Sequence, residues 1–170
     1  DEVLNLIDNF LNEKNSFIFE SVEKGKIKGR YTIFGKNPDK IWEFNNKDSY
    51  LILKNKKIKL KEKPENLIEK IIEDFKFNTP KNLPKICSLI SGYFSYDAIR
   101  YIEKIPNSCK DDLNIPDVRL LRPRTVVIHD NLKKEIFFIN NVFKDEKIID
   151  YKKRYDEIKS DLFKLVIQSS

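Results

Sequence analysis

The run Phe17-Ile18-Phe19-Glu20-Ser21 sets a carboxylate and a hydroxyl directly behind three large apolar residues. A strand entering a core keeps its polar atoms on alternate positions, so this spacing has two readings. Either the strand ends there, or Glu20 and Ser21 serve a ligand at its tip. In the second reading the chemistry offered is recognition, a carboxylate and a hydroxyl supplying hydrogen-bond acceptors and a donor to a ligand.

Residues for bond-making chemistry are scarce elsewhere. Nucleophilic catalysis wants a His near a Ser or Cys, and the single His129 falls in a strand pattern beside a turn. Cys87 and Cys109 are far apart and form no CxxC, and with one His the chain has no zinc-ligand spacing. The four glycines, at 25, 29, 35 and 92, build no phosphate-cradling loop. Carboxylates are plentiful but do not pair on a helical face, and Asp111-Asp112 reads as a solvated turn. The aromatic stretch "GYFSYDAIRY" at 92 to 101 could stack on bases, but the charge around it is mixed and core packing accounts for it more simply.

The elements that must carry these residues follow from periodicity. Val3, Leu4, Leu6, Ile7, Phe10 and Leu11 recur at helical spacing, and residues 17 to 21 then turn to strand composition. Gly25 and Gly29 bracket a Lys-rich turn, after which "RYTIFG" resumes as a strand closed by Gly35 and Asn37-Pro38-Asp39. Residues 40 to 44, 50 to 54 and 57 to 61 predict three short strands in a meander. Pro64 opens a helix whose stripe is Leu67, Ile68, Ile71, Ile72 and Phe75. A buried strand over 86 to 96 and a short helix from Asp97 to Pro106 come next. "TVVIHD" and "EIFFIN" form a hairpin around "DNLKK", and a last helix runs from Ile148 to Leu165. The order predicts one α+β domain over residues 1 to 170, with largely antiparallel sheet packed against helices.

Composition narrows the class. The net charge of +6 comes mostly from Lys interspersed with acids, and nucleic-acid binding needs a concentrated basic face instead. The densest run, "KNKKIKLKEK" at 54 to 63, alternates Lys with Ile58 and Leu60 and reads as the solvated face of an edge strand. No signal peptide or apolar span of transmembrane length is visible, so no membrane role is expected and a reducing cytoplasmic setting is the default. The chain begins at Asp1 and contains no Met, which reads as a segment or a processed chain.

Three stretches occurring in order add a resemblance: "FIFESVEKGKIKGRYTIFGKNPD" (17 to 39), "ISGYFSYDAIRYIEKIPN" (90 to 107) and "LNIPDVRLLRPRTVVIHDNLKKEIFFI" (113 to 139). Together they resemble the N-terminal region of anthranilate synthase component I. The resemblance implies part of a lyase that makes anthranilate from chorismate and ammonia in tryptophan biosynthesis. The ammonia would come from a glutamine amidotransferase partner, component II. Chorismate and Mg²⁺ would sit in a C-terminal region this chain does not contain, so no cofactor is expected in the segment and no activity from it alone.

By the same resemblance Ser21 matches the serine of the family's Leu-Leu-Glu-Ser motif, part of a feedback site for L-tryptophan. Ser21 and backbone groups would bond the polar end of the effector, Glu20 would add negative charge, and Phe19 or Tyr31 would pack near the indole. Arg30 and Tyr31 start the returning strand beside the turn, where Arg30 also fits a surface ion pair. The chain departs from the family pattern at Ser88 and Leu89, where glycines are expected ahead of Gly92, at Lys24, and at His129, where Phe is common. Side chains at 88 and 89 put the local strand geometry in question. Two other readings stay open: the N-terminal region of aminodeoxychorismate synthase component I, and a non-catalytic ligand-binding or interaction module.

Overall fold

The computed structural model describes residues 13–20, 29–106, 111, 113–146, 152–157 and 159–160. Among them seven strands form an antiparallel sheet, with an α-helix, two 3-10 helices and further α-helical residues at 152–157 and 159–160. The strands are β1 (Phe17–Phe19), β2 (Tyr31–Asn45), β3 (Asp48–Leu53), β4 (Lys56–Leu60), β5 (Ser91–Phe94), β6 (Val118–Asp130) and β7 (Glu135–Asn140). The helix is α1 (Pro64–Asp74). Hydrogen-bonded order runs β4-β3-β2-β6-β5, with β1 on β2 and β7 on β6. The α+β, largely antiparallel expectation holds. The fold resolves into two compact units, one of residues 1–37 with 124–170 and one of residues 38–123.

In the second unit the core is a cluster of Trp42, Phe44, Leu67, Ile71, Val118 and Leu120. The two helical members are four apart on one face of α1, and the strand members alternate along β2 and β6, so each periodicity brings its own apolar stripe to the same place. Pro64 occupies the first turn of α1, where its missing N–H goes unneeded. Ile72, in the expected stripe, is exposed. The turn from β3 to β4 places Lys54 and Asn55 both at positive φ, the twist a two-residue hairpin connection requires.

Three elements differ from the sequence-based expectation. Strand composition broke at Gly35 and Asn37-Pro38, yet β2 runs unbroken for 15 residues. Its ladder to β1 ends at Gly35 and its ladder to β3 starts at Ile41. Between those ladders a positive-φ Asn37 and a proline lacking its N–H cost no bonds to either partner. The predicted strand over 86 to 96 shrinks to β5, preceded by a 3-10 helix at Lys85–Cys87. The helix expected from Asp97 is the 3-10 helix Tyr96–Tyr101. The first predicted helix, residues 3 to 11, lies outside the described residues, and of the last one residues 152–157 and 159–160 are helical.

Ser88 is extended and precedes the ladder, which begins at Ser91, so the residues replacing the expected glycines do not enter the sheet pairing. The close approach is at Gly92, where an added Cβ would meet Arg119 O at 1.9 Å and Leu120 Cα at 2.9 Å. At Gly35 it would meet the ring of Phe17 at 2.3 Å. Backbone cannot step aside as a ring can. Gly92→Ala should therefore cost about 3 kcal/mol or more, at or above the upper end for overpacking, and Gly35→Ala clearly less. Urea unfolding monitored at Trp42 measures the difference, and equal midpoints would contradict it.

Candidate functional site

The candidate site is the end of β1 with the start of β2, all in the first unit. Register pairs Phe17 with Gly35, Ile18 with Phe34 and Phe19 with Ile33. Alternation turns Thr32, Phe34 and Lys36 to the buried side, each under 7% exposed. Tyr31, Ile33 and Gly35 face the other way, together with Phe17 and Phe19. The Phe17 ring lies where Gly35 has no side chain and packs on Phe19 with centroids 5.0 Å apart. Phe19 remains 48% exposed and Glu20, the next residue, is exposed as well. The strand thus ends at Phe19, as the first of the two readings requires. The result is an open aromatic face with a carboxylate at its rim, and Tyr31 lies two residues beyond the pair where β1 stops.

Ser21 lies outside the described residues. Of the remaining candidates, Phe19 and Tyr31 share the sheet face, Glu20 follows Phe19, and Arg30 is committed elsewhere. Its Nε donates to both oxygens of Asp130 at 3.1 and 3.2 Å, and its Nη2 donates to Oδ2 at 2.7 Å. The same guanidinium sits 4.8 Å from the centroid of the Tyr31 ring. Arg30 is the ion pair that the sequence allowed, but its partner is a buried carboxylate rather than a surface one.

Asp130 and Asn131 are what sequence reading missed. Asp130 is 1% exposed, and its Oδ1 also accepts from the backbone N–H of Leu132 and of Lys133 at 3.0 and 3.1 Å. Asn131 donates its backbone N–H to Arg30 O at 2.7 Å, and its Nδ2 donates to Gly29 O and Thr32 Oγ1. The β6–β7 turn therefore clamps residues 29 to 32, with Gly29 at φ 74°. An Asp-Asn pair marks a turn, and that signal was legible; its bond to a residue 100 positions away was not.

Arg30's hydrogen bonds hold the Asp130 carboxyl down at about 2 against the cost of burial, with the Lys133 and Leu132 amides assisting. Both of its oxygens are engaged, which makes Asp130 a structural anion and not a general base. Burial lowers the His129 pKa, helped by Lys134. Among the described residues no group of three or more His, Cys, Asp or Glu side chains could hold a metal ion. What the arrangement can do is bind: aromatic surface takes a ring, and the exposed Glu20 attracts a cationic group. Arg30, already neutralised, contributes little toward an anion.

No protein-family profile matches the chain. Among relatives, anthranilate synthase component 1 of Cereibacter sphaeroides is 33% identical over 130 residues, covering 72% of this chain and 25% of that protein. The protein of the same name from Acetivibrio thermocellus is 33% identical over 140 residues, covering 82% of this chain and 28% of its own length. The chain thus spans about a quarter of the relatives it matches. In fold it is similar to the crystal structure of anthranilate synthase component I from Streptococcus pneumoniae TIGR4. The TM-score is 0.66 at 21% identity, over 94% of this chain and 33% of that one. No helix among the described residues is long and apolar enough to cross a membrane.

The Asp130 clamp predicts a pH dependence. Its carboxyl titrates lower in the folded chain than the unfolded value near 3.9, so its stabilisation is complete above about pH 4–5 and is lost as pH falls through about 2. Asp130→Ala should destabilise by about 2–3 kcal/mol at neutral pH. That is less than for a fully buried pair, because the Arg30 side chain keeps 32% of its surface in water. Asp130→Asn, which can still accept the turn amides, should lose less and flatten the acid limb. Denaturant midpoints between pH 2 and 7 test both, and an unchanged acid limb in Asp130→Asn would remove the clamp from the account.

Proposed function

We propose that this chain, whose sequence and fold match the N-terminal region of anthranilate synthase component I, supplies the effector half of that enzyme. The activity would be conversion of chorismate and ammonia to anthranilate and pyruvate, toward tryptophan. The reaction centre and its Mg²⁺ would lie in polypeptide outside this segment, and ammonia would come from a glutamine amidotransferase as the second component. The segment by itself would not turn over. A cytoplasmic location goes with this reading.

The observation that carries the effector role is the open aromatic face at the end of β1. Phe19 and Tyr31 lie on one side of the sheet, and Glu20 stands exposed where the strand stops. L-Tryptophan presents an indole, an ammonium and a carboxylate. The rings suit the indole, and Glu20 with the Ser21 hydroxyl suits the ammonium. Arg30 serves by holding Tyr31 in place, since its charge is matched by Asp130. The effector carboxylate then needs donors other than Arg30, and backbone amides following Ser21 are the nearest in sequence. The relatives carry the anthranilate synthase name, which favours this reading over the aminodeoxychorismate one.

Feedback by such a site requires that tryptophan bind one arrangement of the complete enzyme better than another. In a complete component I, Ser21→Ala should raise the inhibition constant for tryptophan about tenfold to a hundredfold, the worth of one hydrogen bond to a charged group. Turnover without tryptophan should be unchanged. Steady-state anthranilate fluorescence with and without tryptophan measures both, and an unaltered inhibition constant would reject Ser21 as a ligand.

A further inference from the structure

Helical residues 152–157 and 159–160 belong to the first unit, together with β7 and the second half of β6. Among these helical residues Arg154 alone is not exposed. Tyr155, a member of the expected apolar stripe, is 64% exposed. Successive helical residues point about 100° apart, so a helix that turns Arg154 inward carries Tyr155 away from that contact. Among the described residues the attachment is therefore polar.

Its receptor is Glu146, whose side chain is 7% exposed. The Oε1 atom accepts the Phe143 N–H at 3.2 Å while the Glu146 N–H donates to Phe143 O at 3.0 Å, a reciprocal turn that holds the carboxylate inward. That leaves Oε2 for two guanidiniums. Arg124 of β6 reaches it through Nη2 at 3.2 Å, and Arg154 reaches it through its own Nη2. Each arginine thus makes one bond to its carboxylate where Arg30 closes a full fork on Asp130. Arg124 Nε and Arg154 Nη1 are left buried with no hydrogen-bond partner. A buried donor without an acceptor costs free energy, and more so when its group is charged.

We propose that Glu146 is a contested anchor, shared by a fixed arginine on the sheet and a movable one on the helix, and that the last helix is a strap released when Arg124 takes the carboxylate alone. In the docked arrangement two donors go unanswered. On release Arg124 can close its fork on Glu146 and satisfy Nε, and Arg154 moves into water, where each N–H finds an acceptor. That exchange brings the two arrangements close in free energy, which is what a two-state element requires. The sheet need not move, since Arg124, Phe143 and Glu146 stay bonded to one another in both. The strap operates whether or not the segment binds tryptophan.

Hydrogen exchange in a complete component I carrying this segment tests the strap, read in peptides over residues 152–157 against peptides over β6 and β7. Arg154→Gln should speed exchange in the helix about tenfold, the worth of one charge-assisted bond, and leave the two strands protected. Arg124→Gln should do the opposite, slowing helix exchange by about threefold because the rival for Oε2 is gone. Arg124→Lys keeps the charge but cannot fork, so it should act in the same direction and decides the matter where the glutamine variant fails to fold. Asp156→Asn, an exposed change on the same helix, should leave exchange as it was. An ordinary cluster of ion pairs predicts instead that losing either arginine loosens the helix. Unchanged or faster helix exchange in the Arg124 variant that folds overturns the proposal, as does Arg154→Gln with unchanged exchange or with β6 and β7 loosened to the same extent.

Discussion

A carboxylate almost wholly out of water is tolerable only where something keeps it ionised and bonded, and Asp130 meets that demand with Arg30 and two turn amides. The arrangement joins the start of β2 to the end of β6, residues 100 positions apart, and fixes Gly29 to Thr32 through Asn131 as well. The aromatic face beside β1 depends on it. Tyr31 is held under the same guanidinium, and a loose start to β2 would leave Phe19 with no defined neighbour across the strand. By engaging Arg30, Asp130 also leaves Glu20 as the exposed charge beside the rings.

The same device recurs through the chain. Asp39 pairs with Arg122 through Nε at 2.9 Å and Nη2, Glu43 with Arg119 and Lys57, and Glu146 with Arg124 and Arg154. Arg30 and Arg122 meet their carboxylates with a planar fork, the buried Lys36 pairs with Glu13, and the lysines of β4 serve a wetter edge. Burial alone would raise Glu43 and Glu146, yet the bonds and charges of their partners bring both below the ordinary glutamate value. Among the described residues the buried or part-buried acids Asp39, Glu43, Asp130 and Glu146 each have a cationic partner. Basic side chains are thus engaged in pairing acids within the sheet.

Local chemistry was legible in the sequence and long-range pairing was not. The hairpin around "DNLKK", the Pro64 helix and the lysine-guarded edge follow from periodicity and turn residues, which act over a few positions. The continuity of β2 through Gly35 and Pro38 was hidden, because only the change of ladder partner makes those residues harmless there. The shortness of β5 was hidden too, since an apolar run reads alike as strand or as 3-10 turn until a neighbour accepts its hydrogen bonds. At the site, the end of the strand was readable from spacing, whereas Phe19 and Tyr31 were named only through the family resemblance. The commitment of Arg30 was not readable, because nothing near position 30 announces a carboxylate at 130.

That commitment constrains how an amino-acid effector would be held. An amino acid carries two opposite charges a few bonds apart, and a face offering only Glu20 and rings answers one of them. Burying the other unanswered would cost more than the rings return, so donors for the carboxylate have to arrive from backbone after Ser21 or from the rest of the enzyme. A pocket completed only in one arrangement of the enzyme binds its ligand only there, and that differential affinity is what feedback control requires. A self-sufficient pocket in this segment would bind tryptophan equally in every state of the enzyme and regulate nothing. Under the proposed effector role, an incomplete face, open on its aromatic side and neutralised at Arg30, is the form a regulatory half-site would have to take.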